Sequence, residues 1–194
     1  MRPRRNIELK ARDTDPERSL ATCEALGAEA QGVLLQRDTY FNVARGRLKL
    51  REEEGATAQL IAYERPNLDK QRESRYRLIE VGSAEELEAG LSATLGVKVV
   101  VAKERRLLIW QGNVRVHLDT VEGLGRFIEF EAVASPDSDL AREQGQIATL
   151  RDAFRIEEAD LIAASYSDLM LAGDGGESAR LAPRQSAISL PVEL

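Results

Sequence analysis

Several short stretches of the chain set charged residues two positions apart. Arg47, Lys49 and Arg51 share one parity, as do Lys103 with Arg105 and Glu129 with Glu131, and Glu8 stands two residues before Lys10. On an extended strand, residues i and i+2 point to the same side, so each group converges on one spot. Rows of Arg and Lys suit a polyanion: guanidinium groups give planar bidentate donors to phosphate oxygens, and ammonium groups add compact charge. Carboxylates do not bind phosphate directly, but they hold hard divalent cations that bridge to it, as Mg²⁺ does in phosphoryl transfer. Together these residues could bind a linear triphosphate beside Mg²⁺ or Mn²⁺.

No single row establishes this, because a sheet with one buried face carries solvated charge on the other. Several like-charged rows on neighbouring strands favour another arrangement. A sheet curled into a barrel with its charged face inward makes a polar tunnel. Unpaired buried cations are costly, and a polyanion in the bore relieves that cost.

The elements that would position these rows are mostly strands. Period-two alternation runs through Asn6–Arg12, Arg47–Arg51, Asn113–Val121 and Arg126–Val133. Val33–Phe41, Ala58–Arg65, Glu73–Val81 and Val97–Ile109 add further strand segments, with Gly or Pro punctuating the intervals. On the 73–81 segment, Arg75 and Arg77 share one face and Ser74 and Tyr76 the other, and the pattern does not say which looks inward. Helices are fewer. Asp15-Pro16 starts one that stops at Gly27, and Ser83 with Glu86 forms a capping-box signature for a second that closes at Gly96. A third is predicted over Ser138–Phe154 with Leu140, Ile147, Leu150 and Phe154 inside, and a short fourth over Glu157–Ala163. From Gly173 the chain turns to small and polar residues without a period, which predicts a domain over 1–172 and a flexible tail over 173–194.

Composition narrows the class. The 194 residues are 43% hydrophobic, enough for a folded core in one domain, and Lys plus Arg 27 against Asp plus Glu 33 gives a net charge of −6. That balance argues against a nucleic-acid-binding protein, yet 15 of the 27 basic residues fall between Arg37 and Arg115, so a concentrated positive site is compatible with it. One cysteine, Cys23, excludes an internal disulfide and a cysteine-based metal site, and reads as a small core residue. No apolar run approaches a membrane span, and the charged start does not fit a signal region. The expectation is a cytoplasmic protein without membrane or nucleic-acid partners, with a homodimer left open.

In order along the chain, Asn6-Ile7-Glu8-Leu9-Lys10, Asp38-Thr39-Tyr40-Phe41, Leu48-Lys49-Leu50-Arg51-Glu52 and Lys103-Glu104-Arg105 resemble the CYTH family. So do His117-Leu118-Asp119-Thr120-Val121-Glu122-Gly123-Leu124-Gly125, Phe127-Ile128-Glu129-Phe130-Glu131 and Ser165-Tyr166-Ser167-Asp168-Leu169. The family comprises triphosphate tunnel enzymes, among them class IV adenylyl cyclases, thiamine triphosphatases and inorganic triphosphatases. The resemblance implies an α+β fold: a closed eight-stranded antiparallel barrel with helices packed outside. It implies that Lys10, Lys49, Arg51, Lys103, Arg105 and Arg115 bind phosphate, with Arg47 and Arg65 as weaker candidates. It implies that Glu8, Glu129 and Glu131 hold Mg²⁺ or Mn²⁺ with Asp119 nearby, and that Lys10 and Glu131 are catalytic. Asn6 departs from the family's Glu-x-Glu-x-Lys signature, since an amide replaces the first carboxylate.

The remaining residues receive plainer readings. His117, the only histidine, stands between Arg115 and Asp119 and reads as packed or hydrogen-bonded rather than as a general base. Tyr40, Tyr63 and Trp110 read as packing. Gly123 and Gly125 read as a hairpin turn; no Lys-Ser or Lys-Thr follows them as in a phosphate loop. Glu52–Glu54 reads as a solvated strand end. The function expected first is metal-dependent hydrolysis of an inorganic or organic triphosphate. A class IV adenylyl cyclase, making cyclic AMP and diphosphate from ATP, comes second, and a non-catalytic polyphosphate binder third. An apolar-ligand barrel is disfavoured by the charged faces.

Overall fold

A computed structural model describes residues 3–65 and 70–173. Eight strands form a closed antiparallel barrel: β1 (Arg4–Arg12), β2 (Glu29–Phe41), β3 (Arg47–Glu53), β4 (Gln59–Glu64), β5 (Arg72–Glu80), β6 (Val97–Trp110), β7 (Val114–Val121) and β8 (Gly125–Val133). Their order around the wall is β1-β5-β4-β3-β2-β6-β7-β8, and β8 closes on β1 with Lys10 opposite Glu129 and Glu8 opposite Glu131. Closure leaves no free sheet edge among these strands. Each predicted strand segment corresponds to one of the eight, with ends shifted by a few residues.

The alternation determines what the wall separates. On β1, Ile7, Leu9 and Ala11 face outward, and on β8 Ile128, Phe130 and Ala132 do the same. With Val114, Val116, Leu108 and Trp110 they form an apolar sheet surface covered by Ile147, Leu150, Phe154 and Cys23. The hydrophobic core therefore lies between barrel and helices. The opposite parity, which carries most of the charged rows, turns into the bore.

Four helices pack outside: α1 (Pro16–Ala25), α2 (Ala84–Leu95), α3 (Ala141–Ala153) and α4 (Tyr166–Gly173). The first two start where the sequence predicts. The Asp15 carboxylate accepts from the Arg18 N–H, with Pro16 in the first turn, and Ser83 Oγ accepts from the Glu86 N–H. Gly96 ends α2 at φ 74°, a conformation that favours glycine. The third helix starts later than predicted: Leu140 is left-handed at φ 71°, and Ser138 Oγ and Asp139 Oδ1 accept the N–H groups of Leu140 and Ala141 instead. Its predicted inner residues are buried. The predicted helix at 157–163 is only a 3₁₀ turn at Glu158–Asp160, because Leu161 leaves it to bridge Ala11 of β1. The fourth helix follows at Tyr166. No helix among the described residues is long and apolar enough to cross a membrane. The predicted tail falls, from residue 174 onward, outside the described residues.

Candidate functional site

The bore encloses a cavity of about 450 Å³. Every strand contributes to it through one parity, including Asn6 and Glu8 from β1, Lys49 and Arg51 from β3, Lys103 and Arg105 from β6, and Glu129 and Glu131 from β8. At one end Val101, Val121, Phe127 and Tyr40 close together with Tyr166, and Leu169 and Met170 of α4 pack behind them. Tyr166 stands edge-on to Phe127, with centroids 5.0 Å apart. Towards the other end the walls carry Leu34, Leu78 and Leu107 beside Gln36, Gln59 and Glu53.

Charge inside is organised in three groups. In the first, the fully buried Asp38 is a hub. Lys49 Nζ donates to it at 2.8 Å, Lys103 Nζ at 2.8 Å, and Arg51 through Nε and Nη2 at 2.7 and 2.9 Å. Burial acts to raise the Asp38 carboxyl, but Arg51, Lys103 and Lys49 outweigh it and hold it well below the usual carboxylate range. Burial, reinforced by Arg51, brings Lys49 down to about 7 despite Asp38. Burial likewise brings Lys103 down to about 8, against the pull of Asp38. One carboxylate thus serves three cations, and the group carries surplus positive charge that an incoming polyanion can take up.

In the second group Glu8 accepts from Arg65 Nη1 at 2.6 Å and Arg72 Nε at 3.1 Å. In the third, Arg105 spans Asp119 and Glu129, donating to Asp119 at 2.7 and 2.6 Å and to Glu129 Oε2 at 2.9 Å. Lys10 Nζ lies 3.3 Å from Glu129 Oε1 and 3.5 Å from the centroid of the Tyr166 ring, which covers it as a cation–π partner. The Tyr166 hydroxyl donates to Asp119 at 2.8 Å. Burial depresses the Lys10 ammonium, partly offset by Glu129. Lys10 and Arg105 hold Glu129 ionised well below the ordinary range against its burial. Further out, Arg115 meets Glu131 at 3.4 Å.

The structure brings most of the predicted residues to one cavity: Glu8, Lys49, Arg51, Arg65, Lys103, Arg105, Arg115, Glu129 and Glu131 line it. Lys10 points into the same parity and pairs with Glu129 there. Arg47 is placed elsewhere. It donates to the Arg65 carbonyl and to Asp168, tying β3 to α4 on the outer side of the plug. The four predicted metal ligands separate as well. Glu129 and Glu131 cluster with His117, the three ligand atoms lying within 4.8 Å of one another. Glu8 is held by Arg65 and Arg72, and Asp119 by Arg105 and Tyr166, outside that cluster. The donors that do meet fit a divalent cation: two carboxylates and an imidazole held neutral by burial and by Arg105.

Three residues of the site escape the sequence reading. Asp38 sits in a quoted family segment but shows no charged neighbour at i±2, so its role as a hub is visible only across strands. Arg72 belongs to the inward parity of β5 with Ser74 and Tyr76, whereas Arg75 and Arg77 face out. Tyr166 opens a helix whose start carries a readable signal. Ser165 Oγ accepts from the Asp168 N–H at 3.1 Å, and Asp168 Oδ2 accepts from the Ser165 N–H at 3.2 Å, a reciprocal cap.

Known proteins share this fold. The model of the CYTH domain matches residues 4–166. A protein of Methanocaldococcus jannaschii, provisionally named an adenylate cyclase, is 24% identical over 172 residues, spanning 84% of this chain and 97% of its own length. Among solved structures, the PH1012 protein of Pyrococcus horikoshii OT3 superposes with a TM-score of 0.71 at 26% identity, covering 84% of this chain and 98% of that one. A Hippeastrum protein, HpAC1, described as an adenylyl cyclase by provisional name and as having a dominant triphosphatase activity, superposes at 0.61 with 18% identity, over 87% of this chain and 96% of its own.

Proposed function

The chain belongs to the CYTH domain family, and on that premise we propose that it hydrolyses a triphosphate, bound in the bore, with the help of a divalent cation. The observation that carries this reading is the Asp38 hub, with surplus cations on two strands facing a carboxylate cluster across one cavity. Lys49, Arg51 and Lys103 would take phosphate oxygens from one wall, and Arg65, Arg72 and Arg105 from the others. A cation held by Glu129, Glu131 and His117 would supply Lewis acidity towards the phosphoryl oxygens and lower the pKa of a water. In the reaction, water forms a new P–O bond at the terminal phosphorus while the bond to the bridging oxygen breaks. The diphosphate, free or carrying its organic group, leaves with that electron pair, the terminal phosphorus departs as orthophosphate, and one water proton passes to solvent. Charge grows on the bridging and equatorial oxygens, and the fixed Arg and Lys donors stabilise it without reorganising. Lys10 keeps Glu129 ionised and in place.

The activity named for the Hippeastrum relative agrees with hydrolysis. A cyclase reading has one observation in its favour. Leu34, Leu78 and Leu107 make part of the mouth apolar, where the base of a nucleotide could rest. Product identity separates the two. With inorganic triphosphate, thiamine triphosphate or ATP and Mg²⁺ or Mn²⁺, orthophosphate is the expected product. Cyclic AMP with diphosphate would establish the cyclase, and tight binding without either product would establish a binder. Lys10→Ala and Glu131→Ala are each expected to lower kcat by about a hundredfold, the upper scale of disturbing a metal site's ligands and their supports. Wild-type turnover in both folded variants would remove these residues from the reaction.

A further inference from the structure

His117 is not where a packing residue needs to be. It sits on β7 directly opposite Glu129 on β8, with Glu131 one inward position further along. Its side chain is 3% exposed and lines the cavity. Among the described residues Nδ1 has no hydrogen-bond partner; the nearest carboxylate oxygen, Glu129 Oε2, is 3.7 Å away, beyond hydrogen-bonding reach. Buried polar atoms in folded proteins are nearly always satisfied, so an orphaned ring nitrogen beside Glu129, in a cluster that Glu131 completes, calls for a missing partner. A proton donor is a poor candidate, because the flanking groups Arg105 and Lys10 are already committed to Glu129. The remaining partner is a cation.

We infer that His117 is a metal ligand, and that with Glu129 and Glu131 it forms a one-nitrogen, two-carboxylate site that takes Mn²⁺ or a later first-row ion such as Co²⁺ in preference to Mg²⁺. Mg²⁺ favours all-oxygen shells and dehydrates reluctantly, whereas imidazole is a good ligand for the transition ions and gains strength along the series. A purely carboxylate site would not discriminate in this way. The inference rests on the proposed function only in that a divalent cation enters the bore.

The test uses Mn²⁺ alone and untagged protein, in which His117 is the sole histidine, so any imidazole signal has one possible source. Electron spin-echo spectra of bound Mn²⁺ are expected to show a directly coordinated nitrogen. Titration calorimetry is expected to show Mn²⁺ binding at least about tenfold more tightly than Mg²⁺. His117→Gln should weaken Mn²⁺ binding by about tenfold and Mg²⁺ binding by less. Bound Mn²⁺ without nitrogen coupling, an unchanged Mn²⁺-to-Mg²⁺ ratio in the variant, or no Mn²⁺ uptake with or without triphosphate would overturn the inference. Should His117→Gln not fold, the wild-type echo spectrum decides alone. Nitrogen-coupled Mn²⁺ in a protein that hydrolyses no triphosphate would sustain this inference while the proposed reaction fell.

Discussion

Asp38 is the charge on which the empty bore depends. Lys49, Arg51 and Lys103 all lean on its carboxylate, so Asp38→Asn leaves three cations, two of them buried, without that counter-ion. Breaking a buried ion pair by removing one partner costs about 3–5 kcal/mol, and the free protein should lose stability on that scale. The same variant should bind triphosphate more tightly, since an anion no longer shares its cations; one charge within 4–8 Å is worth about 2–4 kcal/mol at an effective dielectric near 20. Calorimetric affinity and the thermal shift on adding triphosphate check this together, and an equal shift in variant and wild type would show that the hub does not face the ligand. The lysines make a linked prediction. Lys49 titrates near 7 and Lys103 near 8 in the free bore, against 10.5 unperturbed. Between those folded values and 10.5 the unfolded chain binds more protons, so their contribution to stability rises with pH from about 7 upward. Triphosphate restores their charge, so its binding takes up protons and weakens over the same range. Binding heats at pH 8 in buffers of different ionisation enthalpy should therefore differ, and identical heats would mean both lysines are already charged.

At the scale of elements, α4 is a short helix with a large task. It seats Tyr166 over Lys10 and against Phe127, and Arg47 anchors its Asp168. Ser165→Ala removes one half of the reciprocal cap and should cost about 0.5–2 kcal/mol in chemical denaturation, with a rise in KM as Tyr166 loosens over Lys10. A variant with wild-type stability and KM would show that the helix is held by its apolar side alone. The strands are legible in the sequence because period two is a strong signal and β1 and β8 each have one apolar parity: Ile7-Leu9-Ala11 and Ile128-Phe130-Ala132 can only face a core. The facing of β5 is not legible, since Arg75 and Arg77 compete with Ser74 and Tyr76 and only closure of the barrel decides between them. Pairings across strands are hidden for the same reason. The resemblance makes Glu8 a metal ligand, and its pairing with Arg65 and Arg72, 57 and 64 residues away in sequence, is visible only in the fold. Arg47 continues the parity of Lys49 and Arg51, yet it lies one step beyond the bore, where α4 supplies its partners.

For the whole molecule, the net charge of −6 says little about function, because the barrel sorts charge by side. Apolar residues of the wall face the helices, and the ionic parity faces a cavity closed at one end by Tyr40, Val101, Val121, Phe127 and Tyr166. On the proposed reading, a phosphate chain that enters past Gln36 and Gln59 meets the cluster around Tyr166 at the far end of the bore. Long-chain polyphosphate should therefore be cut only from its termini, releasing orthophosphate one unit at a time, while medium-length fragments stay absent early in the reaction. Electrophoresis of a polyphosphate digest over time checks this. A ladder of internal fragments at low conversion would mean that the chain threads through, and that the Tyr166 end opens in solution. Termini-only cleavage that persists in Tyr166→Phe and turns into internal cutting in Tyr166→Ala would locate the stop in the ring itself, because the phenylalanine keeps the plug and loses only the 2.8 Å hydrogen bond to Asp119.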